Sequence, residues 1–269
     1  MPSRYRPFSV VCNVFVLFVL CKIGFIYYTT MVVVWAPKVE GKWPAWVAVS
    51  LAKTISLIKF LSIFAENPSY SNSSFMVLYN VFFLMLLWSF FKTMYSDPGQ
   101  VPTFWGFHLG DNESKRRRYC LICNVFKPDR CHHCSTCNRC VLNMDHHCPW
   151  VNNCIGFWNR KFFLLLLIYG LLLTYMTFFS LLKDFYQFST GDDPSQKSES
   201  KEKQAVYQHK KICVLIGFTL NFIALVLLTG FFKFHLRLAT QNKTTIENLE
   251  EEGRPFHSKW DIGTSGNIK

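Results

Sequence analysis

The apolar residues of this chain come in long blocks. Four of them, Val10 to Val34, Phe75 to Phe91, Phe162 to Leu182 and Ile212 to Phe232, are nearly free of charge. Each supplies about 17 to 25 residues, the length a helix needs to cross about 30 Å of hydrocarbon. The first block contains Asn13 and Lys22 and is followed by no small-residue cleavage site, so it is read as a retained span rather than a signal peptide. Lys22 itself is either functional or turned toward a polar groove between helices. A fifth segment, Trp46 to Phe64, is nearly long enough to cross. Ser50, Lys53, Ser56, Lys59 and Ser62 recur in it at every third position and spiral around a helix, and two lysines make a lipid-facing span costly. It is read as a luminal or interfacial helix; the alternative, a fifth span, would put the N-terminus outside.

Composition points the same way. Half of the 269 residues are hydrophobic and 17% are charged, against about 25% charged in ordinary soluble chains, and the mean hydropathy is +0.15. A soluble fold and extended disorder are both excluded. The net charge of +12 is assigned to basic loops beside membrane spans rather than to nucleic-acid binding. The segment Lys92 to Lys161 holds ten Lys or Arg and five acids, whereas Lys183 to Lys211 has six Lys and five acids and is rich in Ser and Gln. With Arg4 and Arg6 ahead of the first span, the positive-inside rule places both termini and the segment 92–161 in the cytosol, and 183–211 in the lumen. The expected fold is an all-α polytopic membrane protein of four transmembrane helices. Its domains are 1–91 (tail, helices 1 and 2, and a long luminal loop), a cytosolic cysteine-rich insert 92–161, 162–232 (helices 3 and 4), and a cytosolic tail 233–269.

Of eleven cysteines, Cys12, Cys21 and Cys213 lie singly in apolar runs and read as small packing residues. The other eight fall between Cys120 and Cys154 and are interleaved with histidines. In a reducing compartment that density favours metal over disulfides. The spacing Cys120-x2-Cys123-x9-His133-x6-Cys140 is repeated fourteen residues on as Cys134-x2-Cys137-x9-His147-x6-Cys154. Each string offers three thiolates and one imidazole, a closed tetrahedral set for structural zinc, and the two sets overlap along the chain. Two zinc ions are expected. Cys131-x2-Cys134 and Cys137-x2-Cys140 form a competing set of pairs, against which stands the lack of any counterpart to Cys131, since Asp145 occupies that place in the repeat.

Cys131 is thus surplus to zinc and reads as a packing residue; setting it and the eight ligands aside leaves Cys148, whose partner in the repeat would stand at 151, where there is Val. It belongs to the run Asp145-His146-His147-Cys148-Pro149-Trp150, about fourteen residues before the third span. An imidazole beside a thiol can take its proton, and a carboxylate beside the imidazole can orient it and stabilise its cation. This is a nucleophile-generating arrangement at the membrane surface. The competing reading makes Cys148 a spare ligand and Asp145 and His146 supports of the metal sites.

At these residues the chain resembles the Asp-His-His-Cys (DHHC) family of protein S-acyltransferases. The resemblance covers the cysteine-rich stretch Tyr119 to Phe162. It includes Lys127-Pro128-Asp129-Arg130 before His132-His133-Cys134, and Asn152-Asn153-Cys154-Ile155-Gly156 with Asn159 after the signature. It extends to Asp97-Pro98-Gly99 after the second span and Thr244-Thr245-Ile246-Glu247 after the fourth. The resemblance implies a two-step transfer. Cys148 takes a long-chain acyl group, palmitoyl above all, from acyl-CoA as its own thioester and passes it to a cysteine of a membrane-associated client protein. His146 would serve as general base, Asp145 as its orienting partner, and the eight ligands would hold two structural zinc ions. It further implies an acyl cavity among the four helices, with Leu173 limiting chain length and Lys127 and Arg130 meeting the CoA phosphates. Trp150 is either a wall of the cavity mouth or an interfacial anchor. The implied setting is the Golgi or endoplasmic reticulum membrane, with the plasma membrane as an alternative, and the active site cytosolic. The chain departs from the family pattern in the long segment Ala36 to Ser74 and in Cys131. It departs again at Trp260-Asp261-Ile262-Gly263 and Asn267, which resemble the start of the family's C-terminal motif but stop at Lys269, before its aromatic end. That stop carries the expectation of impaired folding or activity. Asn72-Ser73-Ser74 is a glycosylation sequon on the luminal side. A non-catalytic zinc-bearing membrane adaptor is the competing function, and it would need the zinc ligands but not Cys148.

Overall fold

A computed structural model describes residues 13–39, 70–102, 105, 118–191, 201–250 and 258–268; the segment 46–64 lies outside them. Helix α1, Val14–Tyr27, passes without a break into a π-helical stretch, Tyr28–Trp35, and a single further turn, α2, Ala36–Val39. Then come α3, Tyr70–Tyr95, and six short strands: β1, Tyr119–Cys120; β2, Val125–Phe126; β3, His132–Cys134; β4, Arg139–Val141; β5, His146–Cys148; and β6, Asn153–Ile155. Helices α4, Arg160–Thr190, α5, Lys201–Thr240, α6, Thr245–Glu250, and α7, Thr264–Ile268, complete the order. Among the described residues four helices are long and apolar enough to cross a membrane: Val14–Trp35, Phe75–Tyr95, Arg160–Thr190 and Lys201–Thr240. The cysteine-rich insert lies between the second and third of them and adds three two-stranded antiparallel hairpins to an otherwise helical chain.

The helices outrun the apolar blocks. Much of the segment expected as a loop, 183–211, is the end of α4 and the beginning of α5, where Lys210 donates to Asp184 at 2.8 Å. A helix satisfies its own backbone in water as well as in lipid, so the edge of the hydrocarbon gives it no reason to stop.

The chain divides into two compact units. One comprises Leu20–Met85 and Tyr169–Leu228. Its core gathers Val34, Leu181, Phe188, Tyr207, Val214 and Phe218, and Phe218 stacks on Phe185 with ring centroids 4.1 Å apart. Polar side chains in this apolar unit pair across helices: Tyr79 with Thr177 at 2.9 Å, Tyr27 with Asn80 at 2.8 Å, and Asn221 Nδ2 with the Thr174 carbonyl at 3.0 Å. Such bonds join helices where no water competes for them. Gly217 lets the π-helical stretch approach α5, since a Cβ there would lie 2.9 Å from Thr29 Cγ2.

The other unit comprises Met1–Val19, Leu86–Ile168 and Thr229–Lys269 and contains the hairpins. Here the chain solves a general problem of helix ends, whose last carbonyls lack intrahelical partners. Asn153 Nδ2 donates to the carbonyls of Thr93, Met94 and Ser96 at 2.9–3.1 Å, and Asn159 Nδ2 reaches the Thr93 carbonyl as well. Both side chains are fully buried. The run Asp97-Pro98-Gly99 then lies against the hairpins. Asp97 accepts from the Gly99 N–H and from Arg139, both at 2.7 Å, while a Cβ on Gly156 would fall 2.6 Å from the Pro98 carbonyl oxygen.

Candidate active site and metal centres

The three hairpins are versions of one design. In the first two, Cys-x2-Cys is followed by an asparagine in the left-handed region, Asn124 at φ 53° and Asn138 at φ 48°. Asparagine tolerates this backbone conformation better than most residues, and it lets the chain reverse tightly behind the second cysteine. Cross-strand register pairs His133 with Cys140 and His147 with Cys154. The donor atoms therefore gather as Cys120, Cys123, His133 and Cys140 in one group and Cys134, Cys137, His147 and Cys154 in the other, all within 4.8 Å of one another in each. The competing pairing of Cys131 and Cys134 is not what the chain builds.

Both groups fit zinc. Bonds of about 2.3 Å to sulfur and about 2.0–2.1 Å to nitrogen at tetrahedral angles require S to N separations of about 3.6 Å. From His133 Nδ1 the three sulfurs lie at 3.2, 3.6 and 4.0 Å, and from His147 Nδ1 at 3.4, 3.7 and 3.8 Å. Cys131 is outside both groups, packed with Val101, Cys120 and Cys140 and 2% exposed. Burial pushes its thiol up to about 11, as expected of a structural rather than a reactive cysteine.

The third hairpin, β5–β6, repeats the geometry with one change. Cys148 stands where Cys134 stands and Asn152 turns at φ 46°, but Val151, 1% exposed, takes the place of the second cysteine. Cys148 is 4% exposed and belongs to neither donor group. Beside it, the His146 Nδ1–H donates to Asp145 Oδ2 at 2.7 Å, and its Nε2 is buried with no hydrogen-bond partner among the described residues. Asp145 is 1% exposed and fully engaged: the Thr245 N–H binds Oδ1 at 3.0 Å, the Thr245 hydroxyl binds Oδ2 at 2.8 Å, and Arg160 stands 3.6 Å from Oδ1. Burial raises the cost of the Asp145 charge, but His146, Arg160 and Thr245 together outweigh it and hold the carboxyl well below its usual range. Burial likewise disfavours a charged His146, yet the Asp145 carboxylate and the nearby Cys148 thiol push it up to about 9.

The other residues singled out from the sequence lie in varied surroundings. Arg130, with φ 60°, is turned into the fold. Its guanidinium bonds both carboxylate oxygens of Glu247, at 2.8 and 2.6 Å, and the side chain and carbonyl of Asn242, at 3.1 and 2.7 Å. Glu247 also caps α6, accepting from the Thr244 N–H while its own N–H donates to the Thr244 hydroxyl, a reciprocal capping box. Lys127 lines an open cavity of about 690 Å³ with Arg118, Phe126, Leu142, Trp158 and Trp260. Trp150 is 47% exposed and meets Phe15 edge-on at 5.4 Å. Leu173 is buried on α4 in the unit that does not contain the hairpins. Asn267 Nδ2 donates to the Thr240 carbonyl at the end of α5, at 2.8 Å.

Sequence reasoning missed the partners supplied from a distance. The grip of Thr245 on Asp145 spans 100 residues and that of Arg130 on Glu247 spans 117. The one available signal was the capping-box spacing of Thr244 and Glu247. With side-chain exposures of 10% and 15%, the Arg130–Glu247 pair is partly buried. Glu247→Ala removes two charged hydrogen bonds to the guanidinium and is expected to cost about 1.5–3 kcal/mol, readable as a lower thermal midpoint. The double variant Arg130→Met with Glu247→Met is expected to recover part of that loss.

Comparison with known proteins agrees with this geometry. A family model described as DHHC palmitoyltransferase matches residues 113–252. The chain is 33% identical to "Probable protein S-acyltransferase 12" of Arabidopsis thaliana, across 94% of this chain and 81% of that protein. It is 31% identical to palmitoyltransferase ZDHHC20-B of Danio rerio, across 83% and 75%. Against palmitoyltransferase ZDHHC20 of Homo sapiens it is 30% identical, across 83% and 62%. A buried thiol flanked by imidazole and carboxylate beside two zinc-fitting clusters thus accompanies a match over half the chain, and the protein belongs to the DHHC palmitoyltransferase family.

Proposed function

We propose that this integral membrane protein is a protein S-acyltransferase in which Cys148 is the nucleophile, His146 the general base and Asp145 the residue that holds it. The observation that carries the reading is a buried cysteine outside both metal groups, next to an imidazole anchored at Nδ1 by Asp145 and, among the described residues, unpartnered at Nε2. In the first step Cys148 gives its proton to His146 and attacks the acyl-CoA thioester. The carbon–sulfur bond to CoA breaks, and the CoA thiolate leaves with the proton from His146. In the second step a client cysteine gives its proton to His146 and attacks the Cys148 thioester, and Cys148 departs and recovers the proton. Each step exchanges one thioester for another, so the protein must supply a thiolate, positioning and a dry setting more than driving force.

Zinc, when bound, supplies cross-links rather than reaction chemistry, because closed four-ligand sites keep no open position. His147 holds β5 on one side of the hairpin turn and Cys154 holds β6 on the other, so the metal group braces the strands that carry His146 and Cys148. Phe163, 3% exposed, packs edge-on against His146 at 5.2 Å and keeps water from that side. We assign Lys127 to the CoA phosphates, Trp150 to the mouth of the acyl cavity and Leu173 to the limit on chain length. Arg130, spent on Glu247 and Asn242, serves the fold first. The active site faces the cytosol, as the charge balance of the loops supports; we assign it to Golgi or endoplasmic reticulum membranes and to membrane-associated clients with cytosolic cysteines.

The test is incubation of the detergent-purified full chain with palmitoyl-CoA, followed by mass mapping before and after hydroxylamine. A hydroxylamine-labile acyl group on Cys148 is expected. Acylation elsewhere, or none in a preparation holding two zinc ions per chain, would overturn the assignment. Removing the Thr245 hydroxyl deprives the Asp145 carboxylate of one charged hydrogen bond, worth about 1.5–3 kcal/mol. Thr245→Val should therefore slow formation of the acyl-enzyme by about ten- to a hundredfold in a single-turnover assay at unchanged zinc content.

A further inference from the structure

Behind Asp145 lies an imidazole to which the transfer mechanism gives no task. His235, on α5, is 3% exposed, and its Nδ1 stands 3.9 Å from Asp145 Oδ2. Its ring centroid is 5.5 Å from that of His146. Three phenylalanine rings stand edge-on to it: Phe231 at 4.4 Å, Phe163 at 5.0 Å and Phe234 at 5.1 Å. Among the described residues its ring makes no hydrogen bond. A box of three phenylalanines suits an apolar side chain better than a polar ring. The charged groups that act on His235 are the Asp145 carboxylate, which it faces at 3.9 Å, and, beyond it, His146 and Arg160.

The lone pairs of Asp145 explain why it stays back. Oδ2 already accepts from the Thr245 hydroxyl and from His146 Nδ1, which fills that oxygen. His235 therefore acts across a gap too long for a hydrogen bond and too dry for screening, where a dipole is felt more strongly than in water. With its proton on Nδ1 it points a donor at the back of Oδ2. Phe163 touches both imidazoles, at 5.2 Å from His146 and 5.0 Å from His235. The three rings form one packed group at the edge of which the His146–Asp145 bond lies.

We infer that His235 is a positioning residue for acyl transfer. Its polar edge, set behind Asp145 in an aromatic box, keeps the carboxylate turned toward His146 and the His146 ring turned toward Cys148. The inference rests on the proposed roles of His146 and Cys148. It differs from a packing role in requiring a nitrogen at Nδ1 rather than a ring of the right size.

The experiment compares His235→Asn, which keeps a nitrogen near the Nδ1 position, with His235→Phe, which keeps the ring and loses the nitrogens. Both are measured for single-turnover acylation by palmitoyl-CoA, with zinc per chain and thermal midpoint as folding checks. His235→Phe is expected to lower the maximal acylation rate about tenfold or more while the palmitoyl-CoA concentration giving half that rate stays within about twofold, because misplacement penalises the transition state and not ground-state binding. His235→Asn is expected to retain most of the rate. A fully active His235→Phe, or Asn and Phe variants equally impaired, would overturn the inference. If His235→Phe loses zinc or melts early, the Asn variant decides: wild-type folding with a rate as low as that of His235→Phe counts against it. His146→Ala, run alongside, separates the two levels. Should it acylate at the wild-type rate, the base assignment itself falls, whereas an inactive His146→Ala beside a fully active His235→Phe removes only the role of His235.

Discussion

Cys148→Ser is expected to hold two zinc ions per chain and to form no acyl-enzyme. The substitution changes one atom in a buried position that belongs to neither metal group, so the hairpins have no reason to open. What it removes is the thiolate. A serine hydroxyl is a far weaker acid than a thiol, and an imidazole cannot prepare it in the same way, so acylation should fall by at least about a thousandfold. The measurement is metal content by elemental analysis alongside hydroxylamine-labile acyl incorporation. Loss of a zinc ion in this variant would show that Cys148 is a ligand and that the nucleophile lies elsewhere. Retention of both zinc ions with undiminished thioester on another cysteine would relocate the chemistry.

His147→Ala should have an effect as large on activity by a different route. It removes one of four donors to the second metal group and does so on the strand that carries His146 and Cys148. A structural zinc ion in such a setting carries about 10–16 kcal/mol of apparent binding free energy, of the order of the whole stability of a small domain. Each hairpin has strands of only two or three residues, too little backbone pairing to persist alone. The expected result is about one zinc ion lost per chain, earlier proteolysis within 118–160, and acylation below detection. Cys148→Ser and His147→Ala thus abolish one activity with opposite metal contents, and zinc analysis tells them apart. Full zinc content in His147→Ala would mean that the donor set has been drawn wrongly.

The features legible in the sequence were those written locally. Four spans show themselves because crossing a bilayer demands a contiguous apolar length, and the two metal groups because their donors recur at one spacing fourteen residues apart. The ends of the helices were not legible: α4 runs on to Thr190 and α5 begins at Lys201, since charge halts a membrane block without halting a helix. Arg130 shows why single residues are harder. Its sequence neighbourhood displays a positive charge in a motif, and nothing nearby announces Glu247. The same holds for Asn153, whose amide binds carbonyls 57 to 60 residues earlier, and for His235, which just past the end of an apolar block, between Lys233 and Arg237, reads as one more polar residue of the tail. Chemistry that depends on which distant residue completes a carboxylate is settled by packing, and packing leaves no period in the sequence.

The overlap of the two metal groups also gives assembly a direction in time. The donors of the first are complete once Cys140 has been synthesised, and those of the second only at Cys154. A ribosome adding about 5–20 residues per second passes through an interval of about a second in which Cys134 and Cys137 are a half-built site beside a finished one. Cys148, the nucleophile proposed above, is made during that interval, on a strand whose partner β6 does not yet exist. A thiol that the finished fold leaves outside both metal groups is therefore born among open ligands. With valine rather than cysteine at 151, it has no neighbour with which to form a two-cysteine clasp while it waits for its fold.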